Sequence, residues 1–302
     1  MRNQPLLGLC VLLVTSCLCS AAEFKVGCAA VEITPPIGMP LGSGYVYSPS
    51  RGVHDPLWAK AMVIESDGSR AAIVACDSMG LPRRIIEPAR ALIRDRVGLP
   101  AERVMVVATH THSGPGTDPV PVSFLKDPEA KIASEYFEAL PTKIAESVSQ
   151  ALANMVAARI WAGVARESAV SFNRRYLMKD GSVGWNPGRL NPDIVRPAGP
   201  IDPDLPVVYL DTPEGRPLLT FLNFPLQVAV VAGSAGNRFS ADYSHTIATA
   251  LANVKGTEML TMFTGGAWAN VNHVNVNDPK QLGGLAEAAR IGTILAADVL
   301  RL

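Results

Sequence analysis

The stretch VMVVATHTHSGPG, residues 104–116, is an apolar run that stops at two histidines one residue apart and continues into a Ser-Gly-Pro-Gly turn. The run predicts a buried strand over residues 104–109. Side chains two positions apart on a strand lie on one face, so His110 and His112 could contact a single ligand. In α/β sheets ligands bind beyond the carboxyl ends of strands, which predicts a site here. A pair of hydrogen-bonded loop histidines is the alternative.

The rest of the chain alternates between strand and helix patterns, which defines the fold class as α/β. We expect one domain with mixed β-sheet or sheets flanked by helices. Strands are predicted at residues 25–33, 59–65, 70–77, 158–167, 206–210, 217–223 and 259–264. Helices are predicted at residues 85–97, 128–157 (broken near Pro141), 245–254 and 285–302. Residues 175–206, rich in Pro, Gly and Asn, are predicted to form a long loop, a length typical of functional or disordered segments.

Composition narrows the possible partners. The chain has 302 residues, of which 48% are hydrophobic and 18% charged, enough to bury a full core. Its 27 basic and 27 acidic residues balance, so no global field attracts nucleic acid or an anionic membrane. Any partner must be recognised locally, and no segment after the first residues is apolar and long enough to be a transmembrane helix.

The first residues resemble an export signal. Arg2 precedes the apolar stretch 6–18, which is too short to span a bilayer, and Ser20-Ala21-Ala22 resembles a signal-peptidase site. We therefore expect a signal peptide at 1–22 and the domain at 23–302 of an exported protein. The alternative is a lipoprotein anchored at Cys17, because residues 14–17 resemble a lipobox. Cleavage would leave Cys28 and Cys76, which are expected to be core residues rather than a disulfide framework.

Several motifs recur together along the chain. They are THTHSGPG at 109–116, AVEITPP at 30–36, GVHDPL at 52–57 followed by AKA at 59–61, FNR at 172–174, and FSADY at 239–243. In this order and spacing they resemble the motifs of the neutral/alkaline non-lysosomal ceramidase family, and the similarity extends over nearly all of residues 23–302. The resemblance implies a ceramidase-type fold.

The resemblance also implies a chemistry, in which a zinc ion activates water to cleave the amide of an N-acyl sphingoid base. It makes His110 the first zinc ligand, His112 the neighbouring catalytic histidine, and Arg174 an arginine that assists the site. These roles are chemically consistent, because zinc with an open position lowers the pKa of bound water and an imidazole can carry the proton. If the resemblance is left aside, the interpretation of Arg174 is that it forms an ion pair on the surface or in a structural role.

Departures from the family pattern affect this site. Gln227 stands where the family motif N-F-x-x-H has a second zinc histidine, and a carboxamide is a poor zinc ligand. Asn272 stands where ceramidases proper have a serine proposed to act at the amide. His273 could compensate as a metal ligand, although a structural role is an equal alternative. The family's remaining ligands, an acid and a tyrosine, lie beyond the segment that matches the end of this chain.

Other polar residues have two interpretations each. His54 could line the cleft or bind backbone in its turn, and Asp77 could orient a histidine or cap the following segment. His245 is interpreted as structural. We expect one cleft to be lined by His110, His112, Arg174, Gln227, Asp242 and the pair Asn272 and His273.

Three functions remain open at this point. The first is an exported zinc amidohydrolase acting on a lipid amide such as ceramide. The second is a truncated or degenerate homologue that binds zinc weakly or not at all. The third is a non-catalytic protein that binds a lipid or glycan through the 175–206 segment.

Overall fold

The computed structural model describes residues 24–42, 48–116, 129–234 and 236–302. Its strands are β1 (Lys25–Glu32), β2 (Gly52–Val53), β3 (Trp58–Ser66), β4 (Ser69–Cys76), β5 (Val104–Ala108), β6 (Val156–Ala157), β7 (Arg159–Arg166), β8 (Phe172–Asn173), β9 (Arg175–Met178), β10 (Val183–Trp185), β11 (Ile194–Pro197), β12 (Asp204–Asp211), β13 (Pro217–Phe224), β14 (Arg238–Phe239), β15 (Leu260–Gly265) and β16 (Val271–Asn272). Its α-helices are α1 (Arg83–Val97), α2 (Glu129–Ala153), α3 (Tyr243–Lys255) and α4 (Gly284–Leu300).

Two mixed sheets form the body of the described structure. The first has the strand order β5-β4-β3-β1-β6, and the second has the order β15-β13-β12-β7. Each contains one parallel pair, β4 with β5 and β13 with β15, while the other neighbours are antiparallel. A parallel pair needs a crossover, and α1 and α3 supply it. The two halves of the chain therefore share a topology that their sequences do not reveal.

The core has three layers of apolar contact. One lies between the first sheet and helices α1 and α2, and another lies between the second sheet and helices α3 and α4. The third, which we call the inter-sheet layer, joins the two sheets and consists of Val26, Met62, Ala75, Leu210, Leu219 and Met262. The sheets thus face each other with helices outside, which confirms the predicted class of mixed sheets flanked by helices.

Strand 104–109 is less buried than predicted. β5 ends at Ala108 and is the edge strand of its sheet, so Met105 is 46% exposed although Val104 and Val106 are buried. The apolar run overstated its burial because only one face of this edge strand packs on helices.

The predicted break near Pro141 is wrong. α2 continues through this proline as one helix from Glu129 to Ala153. Proline removes one backbone hydrogen bond, at a cost of about 3 kcal/mol. The helix persists because it buries Leu140, Ile144 and Val148 fully against the first sheet.

The long-loop prediction for residues 175–206 is also wrong in part. This segment contains a three-stranded sheet, β10-β9-β11, and the beginning of β12. Its strands are only three or four residues long, and most of their side chains are exposed, so they lack the apolar periodicity that marks a strand.

Features at the amino terminus have different outcomes. The predicted signal peptide and the lipobox lie outside the described residues, and the division into 1–22 and 23–302 stays a prediction.

Cys28 and Cys76 are free thiols, as expected for core residues, and burial raises the pKa of Cys28 to about 12. Among the described residues, no helix is long and apolar enough to cross a membrane.

Candidate functional site

Loops from both sheets meet beyond the carboxyl ends of their parallel strands. His110 and His112 follow β5 of the first sheet, whereas Gln227 and Trp268 follow β13 and β15 of the second. Arg174 lies between β8 and β9. The backbone N–H of His112 donates to the carbonyl of Val228 at 2.9 Å, which joins the two groups of loops directly. This is the strand-end position that the sequence predicted for a site.

His110 is held with one ring nitrogen free. Its backbone has φ +68°, an uncommon left-handed conformation for a residue other than glycine, and its N–H donates to Ser78 O at 2.9 Å. Its Nδ1 lies 2.6 Å from the carbonyl oxygen of Met79. Since a carbonyl only accepts, the proton is on Nδ1 and the lone pair is on Nε2. Among the described residues, no group hydrogen bonds to this Nε2.

Of the two roles considered for Asp77, orienting a histidine is not the one that its recorded contacts show. Its carboxylate accepts a hydrogen bond from the N–H of Trp58 at 3.0 Å. The carbonyl oxygen of Met79, and not Asp77, accepts the hydrogen bond from Nδ1 of His110. Asp77 is buried, and desolvation raises the pKa of its carboxyl group. It ties two neighbouring strands of the first sheet together and does not contact the histidines.

The two imidazoles lie side by side, with ring centroids 5.0 Å apart and planes at 82°. Their proximity was predicted, but for a different reason. The strand ends at Ala108, and the left-handed turn at His110 brings the rings together instead of the two-residue period of a strand.

Gln227 bridges His112 and Arg174. Arg174 Nη1 donates to Gln227 Oε1, which leaves the amide nitrogen of Gln227 facing His112 Nε2 at 3.0 Å. Because the guanidinium has only donors, the orientation of this amide is fixed. His112 Nε2 must therefore accept, and the neutral ring carries its proton on Nδ1. Burial, together with the charges of His110 and Arg174, lowers the pKa of His112 to about 4.

Arg174 is held by three groups. Its Nε and Nη2 donate to Ala269 O at 3.0 and 2.6 Å, and its Cζ lies 3.9 Å from the ring centroid of Trp185. Burial lowers the pKa of this guanidinium, which nonetheless stays charged. The partners are a carbonyl, an amide and an indole, so the ion-pair interpretation is not what the described residues show. Arg174 orients Gln227.

Trp268 is a site residue that sequence reasoning missed. Its ring centroid is 5.3 Å from that of His110. Gly265 makes room for it, since a Cβ at Gly265 would fall 2.0 Å from the indole ring. The Gly265-Gly266 pair, separated from this tryptophan by Ala267 alone, was the available sequence signal.

Asn272 and His273 have contacts of their own. Asn272 Nδ2 donates to Asn186 Oδ1 at 2.8 Å, and its Oδ1 accepts from the N–H of Val274 at 3.0 Å. The charged groups that influence His273 are Glu287, Arg189 and Arg290, while burial lowers its pKa and its Nδ1 is buried without a hydrogen-bond partner. The structure records no contact between His273 and the two histidines of the cluster.

Asp242 was expected to line the cleft, but among the described residues it has no recorded contact with His110 or His112. It caps α3, and its buried carboxylate accepts from the N–H groups of Val231 and Tyr243 at 2.8 and 2.7 Å. Desolvation raises its pKa to about 6. Only 3% of Asp242 is exposed, and both of these partners of its carboxylate are backbone N–H groups.

Asp55 is a second residue that sequence reasoning missed. Its carboxylate accepts from Ser240 Oγ at 2.6 Å and from the N–H of Ala241 at 2.7 Å, so the GVHDPL and FSADY motifs meet here. His54 is exposed, and its N–H donates to Phe239 O, as expected for a turn residue. His245 lies on α3, 3.9 Å from Asp55.

The described residues do not fit a resident zinc ion. Within residues 24–42, 48–116, 129–234 and 236–302, no three His, Cys, Asp or Glu side chains are grouped to hold a metal. A catalytic zinc normally has three protein ligands. Here His110 Nε2 is free, but His112 Nε2 is bonded to Gln227, so the cluster offers one imidazole nitrogen.

An α/β body with imidazole, amide and guanidinium groups meeting beyond its strand ends is the arrangement of an enzyme-type binding site. The family model "Neutral/alkaline non-lysosomal ceramidase, N-terminal" matches residues 24–177, and the chain belongs to this family. The match includes His110, His112 and Arg174, whereas Gln227, Asn272 and His273 lie after it.

Known relatives agree with this assignment. The chain is similar to the neutral ceramidase of Pseudomonas aeruginosa, with 28% identity over 218 residues, covering 68% of this chain and 31% of the relative. The crystal structure of neutral ceramidase from that organism superposes with a TM-score of 0.74 at 22% identity, over 93% of this chain and 45% of the other. A ceramidase complexed with C2 gives 0.74 at 21%, over 93% and 44%. The structural likeness concerns the fold, and the chain spans less than half the length of these proteins.

Proposed function

We propose that this chain carries the histidine site of an exported amide hydrolase that acts on N-acyl amide lipids of the ceramide class. The observation that carries the proposal is the cluster of His110, His112, Gln227 and Arg174 in a member of the ceramidase family. Export rests on the signal-like sequence of residues 1–22.

The cluster suggests a division of roles. His110 Nε2, an imidazole acceptor without a partner among the described residues, can take a proton from water adding to the amide carbonyl and return it to the leaving amine. Arg174 and Gln227 fix the tautomer of His112, whose ring packs against His110. Trp268 supplies an apolar wall beside the same ring.

Zinc has no assigned step in this proposal. In the family, the metal supplies an activated water and polarises the carbonyl. Among the described residues, the cluster of His110 and His112 offers one free imidazole nitrogen, and no three His, Cys, Asp or Glu side chains are grouped to hold a metal. The zinc ligands predicted at Gln227 and His273 are therefore not used here.

A second candidate is a homologue that binds the amide lipid with weak or no turnover. The contact between Gln227 and His112 favours it, because the amide occupies Nε2 of the histidine to which the family resemblance gives a catalytic role. Asn272 points the same way, since both ends of its amide have partners.

A turnover assay with fluorescent ceramide separates the two candidates. We expect hydrolysis by the wild type and a loss of about 100-fold or more in His110→Ala, the usual effect of removing a general base. His54→Ala, an exposed turn histidine outside the cluster, is the matched control and should retain activity. If the wild type binds the lipid without turnover and His110→Ala abolishes binding, the second candidate holds. If neither binding nor turnover occurs, both fail.

A further inference from the structure

The small sheet β10-β9-β11 has one face directed away from the body. Its register pairs Val183 with Leu177, Trp185 with Arg175, and Arg196 with Leu177. Directly paired residues lie on the same side of a sheet. The outer face therefore consists of Arg175, Leu177, Val183, Trp185 and Arg196. Tyr176, on the opposite side, is only 4% exposed, which shows that the other side packs inward.

This outer face combines apolar and cationic side chains. Trp185 is 57% exposed and Val183 is 47% exposed, and both arginines are exposed. The face has no aspartate or glutamate at its five positions. Large apolar side chains on a surface, bordered by one sign of charge, mark an interaction surface.

The segment around this face is basic, although the whole chain is neutral. Residues 172–201 contain five basic and two acidic residues, a net charge of +3, whereas the whole chain has a net charge of zero. The two acids, Asp180 and Asp193, lie in the turns before β10 and β11. Global neutrality thus conceals a local positive field.

The outer face is continuous with the candidate site. The indole of Trp185 stacks on the guanidinium of Arg174, which donates to Gln227 beside His112. A molecule that settles on the outer face would therefore lie next to the histidine cluster.

We propose that the outer face docks the protein on an anionic lipid surface. Tryptophan and aliphatic side chains insert at the boundary between headgroups and acyl chains, and arginines bind anionic headgroups. The docking would present lipid amides to the site, so its purpose rests on the proposed function, although binding can be measured without turnover.

The size of the face argues against a protein partner. Three strands about 4.8 Å apart, each with about four residues, cover roughly 200 Å². A stable protein interface buries about 800 Å² on each partner, so a second copy of the chain would gain too little. A lipid surface can use a small face, because insertion of a few side chains and headgroup attraction add together.

Vesicle co-sedimentation tests the proposal. The probes are vesicles of phosphatidylcholine alone and of phosphatidylcholine with about one-third phosphatidylglycerol. We expect binding to the anionic vesicles only, with a blue shift of Trp185 fluorescence that is absent in Trp185→Phe. Each arginine near such a surface contributes about fivefold (about 1 kcal/mol), so Arg175→Glu/Arg196→Glu should weaken binding by about 30-fold or more.

The matched control is Arg103→Glu/Arg216→Glu, which makes the same change in charge. Both residues are exposed and precede β5 and β13, at the strand ends opposite the site. This variant should bind anionic vesicles like the wild type. Equal losses in both double variants, or no wild-type binding to either vesicle, would overturn the proposal. Loss of dimerisation in Arg175→Glu/Arg196→Glu would identify a second copy as the partner instead.

Turnover of a water-dispersed short-chain ceramide separates this proposal from the proposed function. The outer-face variant should hydrolyse it at the wild-type rate, because neither substituted arginine contacts the histidine cluster. Vesicle binding without any turnover would leave docking intact and refute hydrolysis. A matching loss of both vesicle binding and short-chain turnover would mean that the substitutions disturb the site, which would overturn docking.

Discussion

Replacing Gln227 with histidine should raise the affinity of the protein for Zn²⁺ by about 100-fold or more. In the wild type, His110 Nε2 is the free imidazole nitrogen of the cluster, because the Gln227 amide is bonded to His112 Nε2 at 3.0 Å. Gln227→His removes that amide and adds a ring nitrogen that can bind zinc at about 2.0–2.1 Å.

The magnitude follows from the number of ligands. The free energy of zinc binding to structural sites with four ligands is about 10–16 kcal/mol, which corresponds to about 2.5–4 kcal/mol for each ligand. Since 1.4 kcal/mol corresponds to a tenfold change, one added imidazole gives about 10²- to 10³-fold. Release of His112 adds to this value, so about 100-fold is the lower bound. Ceramide turnover by this variant should fall as zinc binds, because the metal would occupy His110 Nε2, the nitrogen proposed to act as the base.

Calorimetric titration of zinc into both proteins measures the effect. Gln227→Ala, which frees His112 without adding a ligand, should fall between them. Adding His110→Ala to Gln227→His should remove most of the gain. Equal affinities of the wild type and Gln227→His would refute the assignment of Gln227 to the metal position, and tight zinc binding by the wild type would refute the one-nitrogen description.

Three further outcomes are expected. Asp55→Ala should lower the free energy of unfolding by roughly 2–4 kcal/mol in a denaturant titration, because it leaves two buried donors without their acceptor. The ring of His112 should titrate by NMR near pH 4 instead of 6.5, so this group makes the protein less stable as pH falls from about 6.5 to 4, where only the unfolded chain binds the proton. Gly27→Ala should destabilise by roughly 1–3 kcal/mol or more in thermal unfolding, since its Cβ would lie 1.8 Å from the carbonyl oxygen of Ala151.

Matched controls define what would contradict these outcomes. Glu258→Ala, which removes an exposed carboxylate, should leave the free energy of unfolding unchanged. If it lowered that free energy as much as Asp55→Ala does, the buried hydrogen bonds of Asp55 would not be the cause of the loss. A Cβ at Gly52 would meet only the Arg238 side chain, at 3.7 Å or more, so Gly52→Ala should be close to neutral and equal effects at Gly27 and Gly52 would refute the packing argument. A His112 midpoint near 6.5 would mean that the ring is solvated and that the Gln227 contact does not persist in solution.

The sequence predicted the large elements of the fold because their apolar residues follow regular patterns, even in β7, whose side chains are mostly exposed. Each long strand is an apolar run, and helices α1, α3 and α4 begin and end within about two residues of the predicted bounds. β9, β10 and β11 were not predicted, because Tyr176 is the buried side chain in strands whose other side chains are exposed or partly exposed. Short exposed strands have no hydrophobic period, and backbone pairing alone leaves no trace in the sequence.

The site was predictable at its motif positions and not in its contacts. His110, His112, Gln227 and Arg174 do meet, and the motifs indicated which residues to compare. The tautomer of His110, in contrast, depends on the carbonyl of Met79, and a backbone carbonyl has no sequence signature. Its position arises only when the sheet is assembled.

The inter-sheet layer has a consequence for how such a site can change over time. The histidines are attached to one sheet and Gln227 and Trp268 to the other, so the gap between them is set by the side chains that separate the sheets, chiefly Met62 and Met262. Facing sheets pack about 10 Å apart, and methionine is the most adaptable of the large apolar residues. Exchanging these methionines for bulkier or smaller side chains would increase or decrease the distance between the two sheets. The spacing between polar groups on opposite sides of the cluster would then change, although no polar residue is altered.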